Sequence, residues 1–372
     1  MRKHNPENER IKRAYFIYLK EARRLSEHSI DAAAAAISRF EEYAKYRDFK
    51  RFHTQQAVGF KRRLAGQINQ RTGEPLSKST VFTTLNALRA FFQWLAGQPG
   101  YRSSLTYSDS DYFNLYEKES RVAKASPEQR TPSIDQILNA LHTMPASSAI
   151  EKRNRAVIAF ILLTGVRDGA AASLKLKHID LAEGEVLQDA REVKTKFSKT
   201  FTTWFFPVGD EVRQIVIDWI SFLQKDMVFG PDDPLFPATE VTLGIDQQFE
   251  AAGLSRSHWS TAAPIRRIFK EAFTKAGLPY FNPHSLRRTL AQFGERLCHT
   301  PEEFKAWSQN LGHETVLTTF SSYGEVARER QAKLIRQLGQ MSAQPAYPKE
   351  AFEKILHYMQ TRHGRPGAAT TD

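Results

Sequence analysis

The side chains best suited to chemistry lie between Asn282 and Gly324. They read Asn282-Pro283-His284-Ser285-Leu286-Arg287-Arg288-Thr289, then Leu311-Gly312-His313, then Tyr323. His284 and Arg287 are three apart and share one face of a helix. Asn282 is a good N-cap and Pro283 suits the first helical position. The pair therefore belongs to a first turn, where free backbone N–H groups favour an anion. A second histidine follows on a separate short segment, and a tyrosine comes ten residues after it. This set would serve a bound phosphate beside a phenol nucleophile.

Arg167 adds a second guanidinium. It follows Thr164-Gly165-Val166, at the end of a mostly apolar helix predicted over 153–163. A guanidinium stays charged and donates two parallel hydrogen bonds to phosphate, so Arg167 and Arg287 are candidate arms of a phosphate clamp. Arg288 projects elsewhere on its helix, towards solvent or a polyanion. Taken singly, each of these residues has a structural reading: a satisfied histidine, a helix-closing His313, a half-buried tyrosine. Their order and spacing together are much harder to obtain by chance. His284, Cys298, His299 and His313 lack the paired spacing of a zinc module, so no metal and no cofactor is expected.

The elements that must position these residues are mainly helical with a small β-sheet, an α+β class. Apolar residues at 3–4 spacing predict helices over 11–25, from Ser29 to Ala44, over 54–69 and from Ser77 or Ser79 to Gly97, enough for a small bundle. Residues 117–131 are polar and aperiodic, as in a linker. Thr131-Pro132 opens a further helix. Strands are predicted over 184–190 and 200–207, with Lys194, Lys196 and Lys199 in the turn between them. Helices follow over 210–224, from Pro264 to Ala276, and from a Thr300-Pro301-Glu302-Glu303 capping box to Asn310. Residues 226–262 read as a long loop or insertion. Charged helices are predicted over 325–339 and 349–362, before a Gly/Pro/Thr tail.

The constellation resembles the tyrosine recombinase (phage integrase) family. The resemblance rests on Thr164-Gly165-Val166-Arg167, His284-Ser285-Leu286-Arg287-Arg288-Thr289, Leu311-Gly312-His313 and Tyr323. It implies a helical core-binding domain over 1–116, a linker over 117–131, a catalytic domain over 132–345, and a C-terminal helix with a flexible tail over 346–372. By resemblance, Tyr323 attacks the scissile phosphate to form a 3′-phosphotyrosyl link. Arg167 and Arg287 neutralise the non-bridging oxygens, His284 assists proton transfer from Tyr323 or positions the phosphate, and His313 hydrogen-bonds the phosphate. The family places a lysine in the β-turn as general acid. Lys194 is the choice here, with Lys196 and Lys199 as rivals. The resemblance also implies a tetramer on two duplex DNA sites, with exchange of a C-terminal helix between subunits. Two positions depart from the family pattern. Ala170 stands where an acidic residue is common three after the first arginine, which puts the local packing in question; the acidic Asp168 is placed differently. Arg288 stands where histidine is common. A DNA-binding regulator of the same fold, or a type IB topoisomerase-like relaxase, are the rival functions.

Charge agrees with a polyanion partner. The 372 residues carry a formal net charge of +12. Residues 1–125 hold 23 Lys+Arg against 13 Asp+Glu, and most of the excess is there. A nucleic acid is the favoured partner, with Lys61, Arg62, Arg63, Lys78 and Arg288 as candidate DNA contacts. No apolar run approaches membrane-spanning length and no signal-peptide core is present, so a cytoplasmic, nucleoid-associated protein is expected. One cysteine, Cys298, fits a reducing compartment.

Overall fold

Helix caps and apolar stripes together set the architecture. The computed structural model describes residues 4–69, 72–124, 130–243 and 248–313. Tyr323, the helices expected over 325–339 and 349–362, and the tail lie outside the described residues. The chain divides into two compact units, Met1–Pro127 and Glu128–Asp372.

Among the described residues the first unit is helical, apart from one isolated antiparallel bridge between Ile68 and Pro75. Helix α1 (Pro6–Ile17) starts with Pro6 and with Asn5 accepting from the Glu7 and Asn8 N–H groups, then runs into one wider turn, Tyr18–Ala22. Helix α2 (Glu27–Tyr43) is capped by Ser26, which accepts from the Ser29 N–H; the start is three residues earlier than the Ser29 cap expected. Helices α3 (Thr54–Ala65) and α4 (Lys78–Ala96) follow, the latter capped by Ser77 and ending at Gly97. The interior is aromatic: Phe40, Phe60, Phe92 and Phe113 meet at ring-centroid distances of 5.2–5.6 Å. One buried polar staple crosses it. Asn8, fully buried, donates to Glu41 Oε1 at 3.0 Å and to the Arg47 carbonyl, and accepts from the Phe49 N–H. Lys12 pairs with the other Glu41 oxygen at 2.6 Å, so the buried carboxylate is both paired and hydrogen-bonded.

The stretch 117–131, expected as an aperiodic linker, begins with helix α5 (Glu117–Lys124), and the two units divide within it, after Pro127. Its composition is polar, but Glu117 pairs with Arg121 one turn on, Glu119 accepts from the Tyr116 N–H, and Ala123 is buried. Local ion pairs and packing against α4 suffice where periodicity is weak.

The second unit opens with α6 (Ile134–Thr143), capped by Ser133 rather than at Thr131-Pro132. At its centre lies α7 (Ala149–Thr164), buried continuously from Ala156 to Thr164 and packed by neighbouring helices. A short helix α8 (Asp168–Ala171) precedes a three-stranded antiparallel sheet, β1 (Ile179–Asp180), β2 (Glu185–Gln188) and β3 (Phe201–Trp204), in the order β1-β2-β3. Glu185 pairs with Trp204 and Gln188 with Phe201. Helix α9 (Asp210–Lys225) covers α7.

The segment 226–262, expected as a loop, holds a two-stranded antiparallel hairpin, β4 (Pro237–Leu243) and β5 (Phe249–His258). Its β5 strand is rich in Ala, Gly and Ser and its register shifts twice, so the period-2 signal is lost. The hairpin base is pinned to α7 by Arg153. This arginine, 4% exposed, donates to the Pro237 carbonyl and to Thr239 Oγ1, both at 3.0 Å, and lies over the Trp259 ring.

Helices α10 (Ala263–Lys275), α11 (Pro283–Leu297) and α12 (Pro301–Asn310) complete the described part. The molecule is mainly helical with small antiparallel sheets. Among the described residues no helix is long and apolar enough to cross a membrane.

Candidate active site

Four of the six residues assigned to catalysis come from three helix termini that meet. Helix α11 begins where Asn282 accepts from the Ser285 N–H at 3.1 Å and Pro283 occupies the first turn. This cap puts His284 and Arg287 one turn apart on the same face. Arg167 sits at the N-cap of α8, just past the C-terminus of α7. His313 follows the C-terminus of α12.

Two glycines make those turns possible. Gly165 caps α7 at φ +64°, and a Cβ there would meet Leu311 at 2.9 Å. Gly312 has φ +66°, and a Cβ would come within 2.7 Å of the Phe201 ring. Any L side chain would therefore suffer both conformational strain and a clash.

Arg287 joins these ends. It is 4% exposed, and its guanidinium donates to the carbonyls of Gly165 and Leu311, at the C-termini of α7 and α12. Both are the electron-rich ends of helices, where a cation is favoured. Its Nη2 also lies 3.3 Å from His313 Nε2. Arginine only donates, so that nitrogen accepts and the neutral imidazole carries its proton on Nδ1. Arg287 Nε is buried without a partner among the described residues.

The electrostatics are those of an anion site. Burial, then the Arg167 charge, lowers the Arg287 pKa to about 9, so it stays cationic at neutral pH. Burial also lowers that of Arg167. Desolvation followed by the guanidinium groups of Arg287, Arg288 and Arg167 pushes His284 down to about 4. His284 keeps an exposed edge, so the three cations are the firmer part of that cause. His313 is lowered to about 4 by desolvation, then by Arg287, Arg167, His284 and Lys196. Positive charge accumulates here, with Asp168 only weakly opposing it at His284, an arrangement that phosphate would neutralise.

A stability signature follows. The folded-state histidines remain neutral down to about pH 4, whereas the unfolded chain takes up protons near 6.5. Between those values the unfolded state binds more protons, so stability falls as pH falls through that window. In urea titrations the wild type should lose more stability between pH 6.5 and 4.5 than a His284→Gln, His313→Gln variant does. Parallel losses would contradict the assignment.

Lys194 is tied to this centre through its backbone. Its N–H donates to Ser173 Oγ at 2.8 Å, and that hydroxyl donates to α8 carbonyls. Its ammonium is exposed and donates to the Ser260 carbonyl at 3.1 Å. Lys196 lies within electrostatic reach of His313. The turn thus ties Lys194 to α8 and brings Lys196 within the field of His313.

Asp168 settles the local packing around Ala170. Ala170 is buried in the core, and Asp168 instead accepts from the Gly169 N–H at 2.9 Å and from Arg266 Nε of α10 at 2.7 Å. Asn310 was missed in the sequence. Its side chain pairs with both the N–H and the carbonyl of Trp204, at 2.7 and 2.9 Å, fixing the end of α12 on strand β3. The only local signal was an asparagine at a helix end.

The proposed DNA contacts differ in setting. Arg62 and Lys78 are exposed. Arg63 lies over the Tyr43 ring, and the Lys61 ammonium donates to the Asn114 carbonyl at 2.9 Å. Arg288 lies in the field of His284. No group of three or more metal-ligating side chains occurs among the described residues.

Residues 130–330 match the model of the phage integrase family, and residues 13–98 match that of the phage integrase N-terminal SAM-like domain. The chain is 24% identical over 325 residues to the tyrosine recombinase XerC of Halalkalibacterium halodurans, covering 87% of this chain and 95% of that protein. It is also 24% identical to tyrosine recombinase XerC 1 of Ralstonia nicotianae, over 82% of this chain and 86% of that one. Its fold is similar to that of lambda integrase(75–356), solved as a dimer bound to a COC′ core site. There the TM-score is 0.59 at 13% identity, covering 86% of this chain and 96% of that one. The XerH recombinase bound to a palindromic difH substrate is similar at TM-score 0.56 and 18% identity, over 85% and 81%.

Proposed function

Because this chain belongs to the phage integrase family and is a tyrosine-type site-specific DNA recombinase, we propose that it cleaves and rejoins DNA through a 3′-phosphotyrosyl intermediate on Tyr323. The observation that carries this reading is the convergence of Arg167, His284, Arg287 and His313, with both arginine charges acting on both histidines.

The Tyr323 oxygen attacks the scissile phosphorus and the bond to the 5′-oxygen breaks. Arg167 and Arg287 neutralise the charge that builds on the non-bridging oxygens. His284, neutral at physiological pH, accepts the phenol proton, and His313 binds a phosphate oxygen. Lys194 gives its proton to the departing 5′-oxygen; its fixed backbone beside α8 supports it over Lys196 and Lys199. Attack of a 5′-hydroxyl on the phosphotyrosyl link reverses the step, so bond energy is conserved and no cofactor or ATP is needed.

The substrates are two duplex recombination sites held by a tetramer, with the C-terminal helix exchanged between subunits and the protein acting at the nucleoid. The basic first unit supplies sequence-independent phosphate contacts through Arg62, Lys78 and their neighbours, giving strongly salt-dependent binding. Incubation with nicked duplexes of a site selected from random-sequence DNA tests this. A covalent protein–DNA species is expected. Binding without one would favour a DNA-binding regulator. Relaxation of supercoiled DNA that needs no defined site would favour a topoisomerase-like enzyme.

A further inference from the structure

We propose that Glu192 is a positioning residue for Lys194: its carboxylate locks the turn that carries the leaving-group acid. The inference rests on the reading of Lys194 as that acid.

The turn between β2 and β3 runs from Asp189 to Thr200 and carries three lysines. Glu192 ties this turn to the segment before β1 from two directions. Its Oε2 lies 2.9 Å from His178 Nε2, and its Oε1 accepts from Lys177 Nζ at 2.9 Å with Lys175 Nζ 3.6 Å away.

His178 is a fixed lever. It is 4% exposed, and its Nδ1 accepts from the Lys175 N–H at 3.0 Å. The proton must then sit on Nε2, which donates to Glu192. The segment bearing His178 is itself anchored. Leu176 and Lys177 donate their N–H groups to the carbonyls of Asp233 and Pro231 at 3.1 and 2.8 Å. Glu192 therefore connects the lysine turn to rigid backbone.

The effect reaches Lys194 over two residues. The Glu192 and Val193 N–H groups both return to the Asp189 carbonyl, at 3.0 and 2.7 Å, closing a single helical turn. Val193 is buried, and the Lys194 N–H is held by Ser173 on the other side. Release of the Glu192 carboxylate removes the turn's tie to His178 and Lys177, and leaves the Lys194 backbone to the Asp189 and Ser173 bonds alone.

The two lysine pairs add little to folding: Glu192 is one-third exposed and its lysine partners are exposed to a similar degree. The bond to buried His178 does add to it, so Glu192→Ala should destabilise the fold somewhat, and only the contrast between the two duplexes below reports on proton delivery.

Single-turnover cleavage of nicked duplexes tests this, using two forms of the scissile phosphate. In one the bridging 5′-atom is oxygen, which must be protonated as it leaves. In the other it is sulfur, which leaves as a thiolate and needs no acid. Glu192→Ala should cleave the oxygen duplex on the order of 10- to 100-fold more slowly, and the sulfur duplex within about threefold of wild type. Glu192→Gln, which keeps an acceptor for His178, should fall between. Lys194→Ala should show the same rescue with a larger oxygen defect. If Lys194→Ala is rescued and Glu192→Ala is equally slow on both duplexes, or unimpaired on oxygen, the positioning role is overturned. If Lys194→Ala is not rescued, the assignment of Lys194 falls, and the inference with it.

Discussion

Tyr323→Phe should abolish the covalent protein–DNA species while leaving affinity for the site within about twofold. The substitution removes one oxygen. That oxygen forms the new bond to phosphorus, so its loss leaves the arginine and histidine cluster with a phosphate to bind and nothing to attack it. Removal of a nucleophile elsewhere has cost on the order of 10⁶-fold in turnover. Ground-state binding should persist, because it comes from phosphate contacts spread over the duplex. Gel-shift titration and denaturing gels of the same reactions separate the two quantities. An undiminished adduct would remove Tyr323 from its role.

Arg287→Ala should be the most damaging of the substitutions within the described site, in two separable ways. Loss of one preorganised donor to a developing negative charge costs about 2.7–4 kcal/mol in barrier, or roughly 100- to 1000-fold in rate. The same change strands the carbonyls of Gly165 and Leu311 in the interior. A buried acceptor left unmade costs about 1–3 kcal/mol. Relief of the repulsion with Arg167 offsets part of that, leaving a net destabilisation of roughly 1–3 kcal/mol. Arg287→Lys keeps a charge, but one ammonium cannot span two helix ends as a guanidinium fork does. It should recover much of the stability and little of the rate. Arg167→Ala, at a half-buried helix start, should lose comparable rate with a far smaller loss of stability. Urea titration and single-turnover cleavage of the three variants check this. Equal destabilisation by Arg167→Ala and Arg287→Ala would contradict the distinct structural load placed on Arg287.

The division of labour between the arginines shows what the amino-acid sequence revealed and what it withheld. Asn282-Pro283 declared the start of α11, and Thr300 with Glu303 declared that of α12, because caps are local chemistry and survive in any context. Gly165 and Gly312 marked the turns before Arg167 and His313 for the same reason. The tie between Arg287 and two helix C-termini was not legible, because it joins residues 122 positions apart in one case and 24 in the other. Nor was the tie of Asp168 to Arg266, 98 positions on.

Errors of element assignment have a similar origin. Helix α5 is held by an i,i+3 bond from the Tyr116 N–H to Glu119 and an i,i+4 pair of Glu117 with Arg121, which carry no apolar period. The β4–β5 hairpin is held by cross-strand pairing and by Arg153 from a distant helix, and neither leaves an alternating pattern in a strand of Ala, Gly and Ser. The turn lysines illustrate a finer limit. Resemblance favoured Lys194 over Lys196 and Lys199, and the bonds of Lys194 to Ser173 and Ser260 describe a setting that spacing could not reveal.

A phenol oxygen in this chain should exchange places with a 5′-oxygen on one backbone phosphorus. Peptide mapping by mass spectrometry of the species trapped on nicked site DNA is the direct test. A single nucleotide-bearing peptide is expected, modified at Tyr323 through a 3′-phosphate, with a free 5′-hydroxyl on the released strand. A nucleotide attached to any other side chain, or a 5′-phosphate on the released strand, would contradict it.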